Sequence, residues 1–270
     1  MAGPASAAPA SHVAPSALTV AAIAVVAYAA CDMLHEVLGH GVATLIVPGV
    51  HALTLTTVAI STSASSRIVA AAGSLANLLA GVVALALARR GTRPTLARYF
   101  AWLFGSLNLL NATGYPLFSG LLDFGDWAVV IDGLAPHLAW RGVLVVAGIA
   151  AYVSSIRVSA GVLSSLIGVD DVRARQVHRY IMPAYLAGGL LLVAGSIPNP
   201  AGPSLILLSG ASSGFGAMAG LLAVPAIVER RGRGAASGAL RLGPSVPWLI
   251  AAIVTAAVFV FVIGPGIKLG

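Results

Sequence analysis

The chain has 270 residues, 59% of them hydrophobic and 9% charged, with a mean hydropathy of +0.97, a composition that describes a polytopic membrane protein and excludes a soluble domain. A single cysteine, Cys31, excludes an internal disulfide and a thiolate metal cage, which leaves any metal to His, Asp or Glu. The net charge of +7 sits in short arginine clusters between apolar runs, the pattern of membrane orientation and not of nucleic-acid binding.

Residues 1–16, MAGPASAAPASHVAPS, are rich in Ala, Pro and Ser and carry no Lys or Arg. They are expected to form a disordered tail without the basic segment of a signal peptide. From 17 to 270 the chain reads as one all-α transmembrane domain with no internal repeat. Apolar segments long enough to cross about 30 Å of hydrocarbon lie near 17–46, 68–88, 99–114, 138–156, 181–197, 204–228 and 247–264, which predicts about seven helices. The third is short because the Asn, Gly and Pro of NATGYPLFSG, residues 111–120, signal its end. Between the first two helices HALTLTTVAI, residues 51–60, alternates Leu with Thr and predicts a short β-strand or hairpin. Such a strand must lie against protein or at the interface, because open sheet edges do not face lipid.

Arginines orient these helices. With the N-terminus on side A, that side holds Arg89, Arg90, Arg93, Arg98, Arg157, Arg173, Arg175, Arg179, Arg230, Arg231, Arg233 and Arg241. Side B holds Arg67, Arg141 and Lys268, with Asp123, Asp126 and Asp132 in its longest loop. The positive-inside rule then predicts an integral protein surrounded by membrane lipid, expected in the plasma membrane, with a cytoplasmic N-terminus.

Near the end of the first helix the stretch CDMLHEVLGHGVATLIV, residues 31–47, places ionisable groups at membrane depth, where they are costly and need partners. His35 and His40 are five residues apart, one more than in the H-E-x-x-H of metallopeptidases. On a regular α-helix they would diverge by about 140°, whereas Glu36 and His40 would share a face. The histidines can converge if the helix unwinds or forms a π-bulge near Gly39, and a π-bulge absorbs a one-residue insertion. The chain has six histidines and two glutamates, and one glutamate falls between two of those histidines inside a span.

Two histidines and a carboxylate are a common catalytic zinc set, and a nearby glutamate can take and return the proton of an activated water. His35, His40 and either Asp126 or Asp123 would be the ligands and Glu36 the base, since the first and third helices both end on side B. Asp126 is preferred because Gly125 precedes it and Trp127 follows it. Asp32, one turn before His35, would hold that ring's second nitrogen. The same residues also read as a polar cluster that ties helices together or binds an ion without catalysis, as in a transporter or scaffold. Asp123 and Asp126 read equally as solvated loop acids.

Three stretches resemble the site-2 protease family of intramembrane zinc metalloproteases: HEVLGH in the first helix, AAGSLANLLAG at 71–81, and NLLNATGYPLFSGLLDFGDW at 108–127. The first is similar to the family's metal-binding motif with one residue inserted. The second is similar to its Gly-x-Leu-Ala-Asn stretch, which implies that Asn77 positions substrate. In the third, Phe118 and Ser119 stand where the family has the Asp-Gly that carries a zinc ligand. The resemblance covers the first half of the chain, with a metal-site core in 17–127. It implies hydrolysis of a peptide bond of a transmembrane protein substrate in or near the bilayer. It also implies a metal toward the cytoplasmic side, opposite to the arginine count. Further on, GASSGFGAMAG at 210–220 resembles the serine motif of rhomboid proteases, but no histidine follows it, so Gly210, Gly214, Gly216 and Gly220 are expected to serve close helix packing.

Overall fold

The computed structural model describes residues 14–90, 95–167, 176–200, 202, 204, 206–230, 240 and 242–270. Residues 1–13 of the expected tail lie outside the described residues, as do Arg93, Arg173, Arg175, Arg231, Arg233 and Arg241 of the orientation argument.

Helix α1, Ala17–Met33, starts at Ser16, whose hydroxyl accepts the Thr19 amide. It continues without a break through a π-helical segment, Leu34–Gly41, into α2, Val42–Ile46. An antiparallel hairpin follows, made of β1 (Ala52–Leu55) and β2 (Ile60–Thr62). Then come α3 (Arg67–Arg90), α4 (Leu96–Leu122), the short α5 (Asp126–Ile131), α6 (His137–Ile167) and α7 (His178–Ser196). A second π-helical segment, Ile206–Gly216, leads through a 3₁₀ stretch, Ala217–Ala223, into α8 (Val224–Arg230). The last span is α9 (Val246–Val258) with a π-helical end, Phe259–Ile263. Strand β3, Ile267–Lys268, which the sequence pattern did not reveal, pairs with β1 and completes a sheet of order β2-β1-β3.

The chain is mostly helical, and five helices among the described residues are long and apolar enough to cross a membrane: Ala17–Ile46, Arg67–Arg90, His137–Ile167, Ser209–Arg230 and Val246–Ile263. Helices α4 and α7 also run between the two ends of the bundle but are less apolar, so by length and composition five of the expected seven spans are found among the described residues. Their surroundings explain the lower apolarity. Trp102, Leu103, Leu107 and Leu110 of α4 are fully buried in one core with Tyr28 of α1, Leu163 of α6 and Ile181 of α7, and a helix wrapped in protein can carry Asn108 and Thr113 at no cost to lipid contact. Conversely Leu45, Leu87, Val146, Ile253 and Phe261 are more than half exposed, as residues facing hydrocarbon would be.

The third helix does not end near residue 114 as expected but runs to Leu122 with Pro116 inside it. Proline is tolerated in membrane helices where neighbours take up the backbone groups it frees. The helix stops instead at Asp123, whose left-handed backbone (φ 55°) and N–H bond to the Ser119 carbonyl make a C-cap. Arg141 of α6 donates to the carbonyls of Gly120 and Leu121 at 3.0 and 2.8 Å.

Contacts sort the loops to two ends of the bundle. At one end the Ser16 amide donates to the Leu242 carbonyl, the Ser245 amide donates to the Thr19 hydroxyl, and Arg98 donates to the Ala88 carbonyl. At the other end β3 meets the hairpin, the Thr57 hydroxyl donates to the Gly195 carbonyl at 2.7 Å, and Arg67 donates to the Asp132 carbonyl. The second end holds the site.

Candidate metal centre

The departure from α geometry expected at Gly39 is a π-helical segment of eight residues. A π-helix bonds i to i+5, so two residues five apart stand one above the other, and the spacing that fails on an α-helix becomes the right one. The rings of His35 and His40 accordingly lie edge to face, 4.7 Å between centroids. Gly39 has a second reason to be glycine. A Cβ there would lie 2.4 Å from the Cα of Gly73, so the missing side chain lets the widened turn press against α3.

Helix α3 supports both rings through three residues spaced by four: Val69, Gly73 and Asn77. The His35 Nδ1–H donates to Asn77 Oδ1 at 2.5 Å and the His40 Nδ1–H to the Val69 carbonyl at 2.6 Å. Asn77 is itself held, its amide donating to Asn108 Oδ1 at 2.7 Å and to the Cys31 carbonyl at 3.2 Å. Because each Nδ1 has an acceptor, the tautomer is fixed and each Nε2 lone pair is free, the arrangement of a ligating histidine. Gly73 lies between the two and forms the floor. A Cβ on it would sit 2.6 Å from both Nε2 atoms.

The third arm is Asp126, the first residue of α5. Gly125 before it has φ 83° and packs under the Tyr115 ring, and Trp127 after it donates to the Ser74 hydroxyl at 3.0 Å, which pins α5 to α3. Asp126 Oδ2 is thereby placed 3.1 Å from His35 Nε2 and 3.1 Å from His40 Nε2. Two imidazole lone pairs and a carboxylate oxygen turned toward one point repel unless a proton or a metal ion lies among them. The separations suit a metal ion: bonds of about 2.0–2.1 Å in a tetrahedron put ligand atoms roughly 3.3–3.4 Å apart.

Glu36 is buried beside the pair, and its Oε2 accepts the Ile60 amide of β2 at 2.7 Å. His35, Glu36 and His40 form a buried group that could hold a metal ion, with ligand atoms all within 4.8 Å of one another.

Three expected roles are corrected. Asp123 is not brought to the histidines. It lies at the surface, 39% exposed, with His137 Nε2 at 3.0 Å and Arg141 Nη1 at 3.7 Å, because the C-cap turns it away three residues before α5 begins. Asp32 does not hold the second nitrogen of His35, since Asn77 occupies Nδ1 and Asp126 faces Nε2. Asn77, read as positioning substrate, is fully buried and spends its amide on His35, Asn108 and the Cys31 carbonyl. Val69, Gly73 and Ser74 were missed. The signal available for Val69 and Gly73 was their four-residue spacing with Asn77 on one face of α3; none pointed to Ser74.

His35 and Glu36 open on a cavity of about 480 Å³, lined also by Asp32, Asn111, Tyr115 and Ser213. The second π-helical segment, through Ser209, Gly210, Ser212 and Gly216, borders it too. Within that segment Gly210 packs on Ser196 and Gly214 on Gly189, as expected of close packing, whereas Gly216 has nothing within 4 Å of a built Cβ and is not a packing residue. No family model, curated protein or solved structure matches this chain.

Proposed function

We propose that the chain is an intramembrane metallopeptidase of site-2 type that binds zinc and hydrolyses a peptide bond of a transmembrane protein in or near the bilayer. One observation carries this reading: the Nε2 atoms of His35 and His40 converge at 3.1 Å on one oxygen of Asp126, with Glu36 buried beside them. A zinc ion held by these three residues would supply Lewis acidity for the attack of water on a carbonyl. Glu36 takes the proton of the attacking water and returns it to the leaving amine. Its Oε2 is engaged by the Ile60 amide, so the transfer falls to Oε1. Asn77 and Val69 keep both imidazoles aimed, and the buried setting strengthens each of these interactions.

Metal analysis and one variant test the proposal. The purified protein is expected to carry about one zinc per chain, and Glu36→Gln is expected to keep it while abolishing cleavage of a reporter transmembrane protein. Loss of zinc on Glu36→Gln would make Glu36 a ligand and remove it as the base. The bond from Ile60 to Glu36 favours a second reading, a non-enzymatic transporter or scaffold in which the cluster binds an ion and ties the hairpin to α1. In that case zinc is present, no substrate is cut, and Glu36→Gln loosens the hairpin.

The same proposal places the protein in the plasma membrane with its N-terminus in the cytoplasm and the metal centre toward the outside, the reverse of the family it resembles. Support comes from charge: Arg89, Arg90, Arg98, Arg179 and Arg230 cluster near the end opposite the site. In a Cys31→Ala background, Pro200→Cys is expected to react with an impermeant thiol reagent in intact cells and Glu229→Cys to resist it. The opposite labelling would invert the orientation.

A further inference from the structure

One acidic side chain in the cavity has no part in the centre just described. Asp32 lines the cavity from α1, and its Oδ2 is fully buried without a hydrogen-bond partner among the described residues. Buried acceptors are nearly always paired, and an unpaired carboxylate is the costliest exception. In a membrane-spanning helix such a group marks a place where something else binds. Asp32 and Glu36 line the same cavity. Around them Asn111, Ser209, Ser212 and Ser213 give the cavity a polar side, and Phe118 and Phe124 give it an apolar one.

We propose that Asp32 is a specificity-determining residue that accepts a hydrogen bond from a cationic nitrogen of the substrate, carried within one or two residues of the bond to be cut. The inference rests on the metallopeptidase reading for the position of that bond. Two features favour a cation. Among the described residues no lysine or arginine lines the cavity, and a cationic nitrogen is the partner that lets a buried carboxyl ionise. A second metal ion is a poorer occupant, because apart from His35 and Glu36 of the centre the cavity's polar lining is made of neutral hydroxyls and an amide, and the volume of about 480 Å³ suits an organic group. The distance follows from geometry. Asp32 stands one helical turn, about 5.4 Å, from Glu36, and an extended substrate advances about 3.3 Å per residue. A lysine or arginine in a membrane helix is costly in lipid, so a substrate carrying one gains by moving it onto Asp32.

The nitrogen can come from a Lys or Arg side chain or from a free amino terminus, and one set of probes separates these. The full-length protein in phosphatidylcholine vesicles is offered Leu/Ala transmembrane peptides of about 20 residues that carry a benzophenone. One version has a single lysine, a second has norleucine in its place, and each is made with a free and with an acetylated amino terminus. The lysine peptide is expected to crosslink about tenfold more than its norleucine analogue, the factor of one charge-assisted hydrogen bond. Asp32→Asn should erase that preference and Asp32→Glu should keep most of it. A preference that follows the free terminus supports the proposal and identifies the terminus as the source. Equal crosslinking of all peptides, or a preference that survives Asp32→Asn, overturns it. Zinc measured on the same samples judges the metallopeptidase reading separately: a zinc-free protein that still prefers the cationic peptide leaves Asp32 as the recognition residue and removes the reaction.

Discussion

Two π-helical segments border the same cavity, Leu34–Gly41 and Ile206–Gly216, and they use one backbone device for different ends. Both are glycine-rich, and in both a glycine lets the widened turn touch a neighbouring helix, Gly39 on Gly73 and Gly214 on Gly189. In the first, the five-residue stacking falls on His35 and His40, and α3 braces each ring. In the second, the same stacking pairs Ser209 with Gly214, which gives the cavity hydroxyls and room but no ligand set. A π turn therefore supplies spacing, and the chemistry depends on which side chains that spacing brings into line.

Variants that remove a feature from one segment and its counterpart from the other test this contrast. The largest difference is expected between His40→Ala and Ser212→Ala. Loss of a direct ligand should lower zinc affinity by more than about a hundredfold, beyond the range of supporting residues, while the serine variant should bind zinc as the wild type does in a chelator competition. Next come the glycines. Gly73→Ala places a Cβ 2.6 Å from both Nε2 atoms, and overpacking of this kind costs about 1–3 kcal/mol, visible as a lower unfolding temperature in detergent together with weaker zinc binding. Gly216→Ala, which meets open space, should change stability by no more than about 0.5 kcal/mol. Asn77→Ala should keep the fold and weaken zinc about tenfold, because it frees the His35 ring without removing it. The smallest effect is expected at Asp123, whose exposed ion pairs contribute about 0–1 kcal/mol: Asp123→Asn should leave zinc content unchanged, whereas Asp126→Asn should lose the metal. Equal zinc loss from both aspartate variants would break the assignment of the third ligand.

Much of the first segment was legible in the sequence. The count from His35 to His40 showed that an α-helix could not align them, and the π turn is the local answer to that mismatch. The hairpin was legible from the Leu/Thr alternation, and the membrane character from composition. Three things were not. Pro116 reads as a helix stop, but its surroundings hold the helix together to Leu122, and no local pattern reports surroundings. The choice between Asp126 and Asp123 depended on where that helix ends and on the bond from Trp127 to Ser74, a contact between residues 53 apart. The role of Asn77 depended on Asn108 and on the angle at which α3 meets the π turn, which is a property of packing and not of the ten residues around it. Strand β3 is two residues long and belongs to the sheet only because β1 is there to receive it.

That last strand gives the protein a schedule. His35, His40 and Asp126 all precede α6, so a growing chain holds its three converging side chains before α6 to α9 have been made. The hairpin that holds Glu36 through Ile60 gains its third strand only when Ile267 and Lys268 arrive and pair with Leu55 and Thr54. Synthesis runs from the N-terminus onward, so these parts appear in that order. A nascent or truncated chain would have the three converging side chains while the hairpin bonded to Glu36 still lacked its third strand.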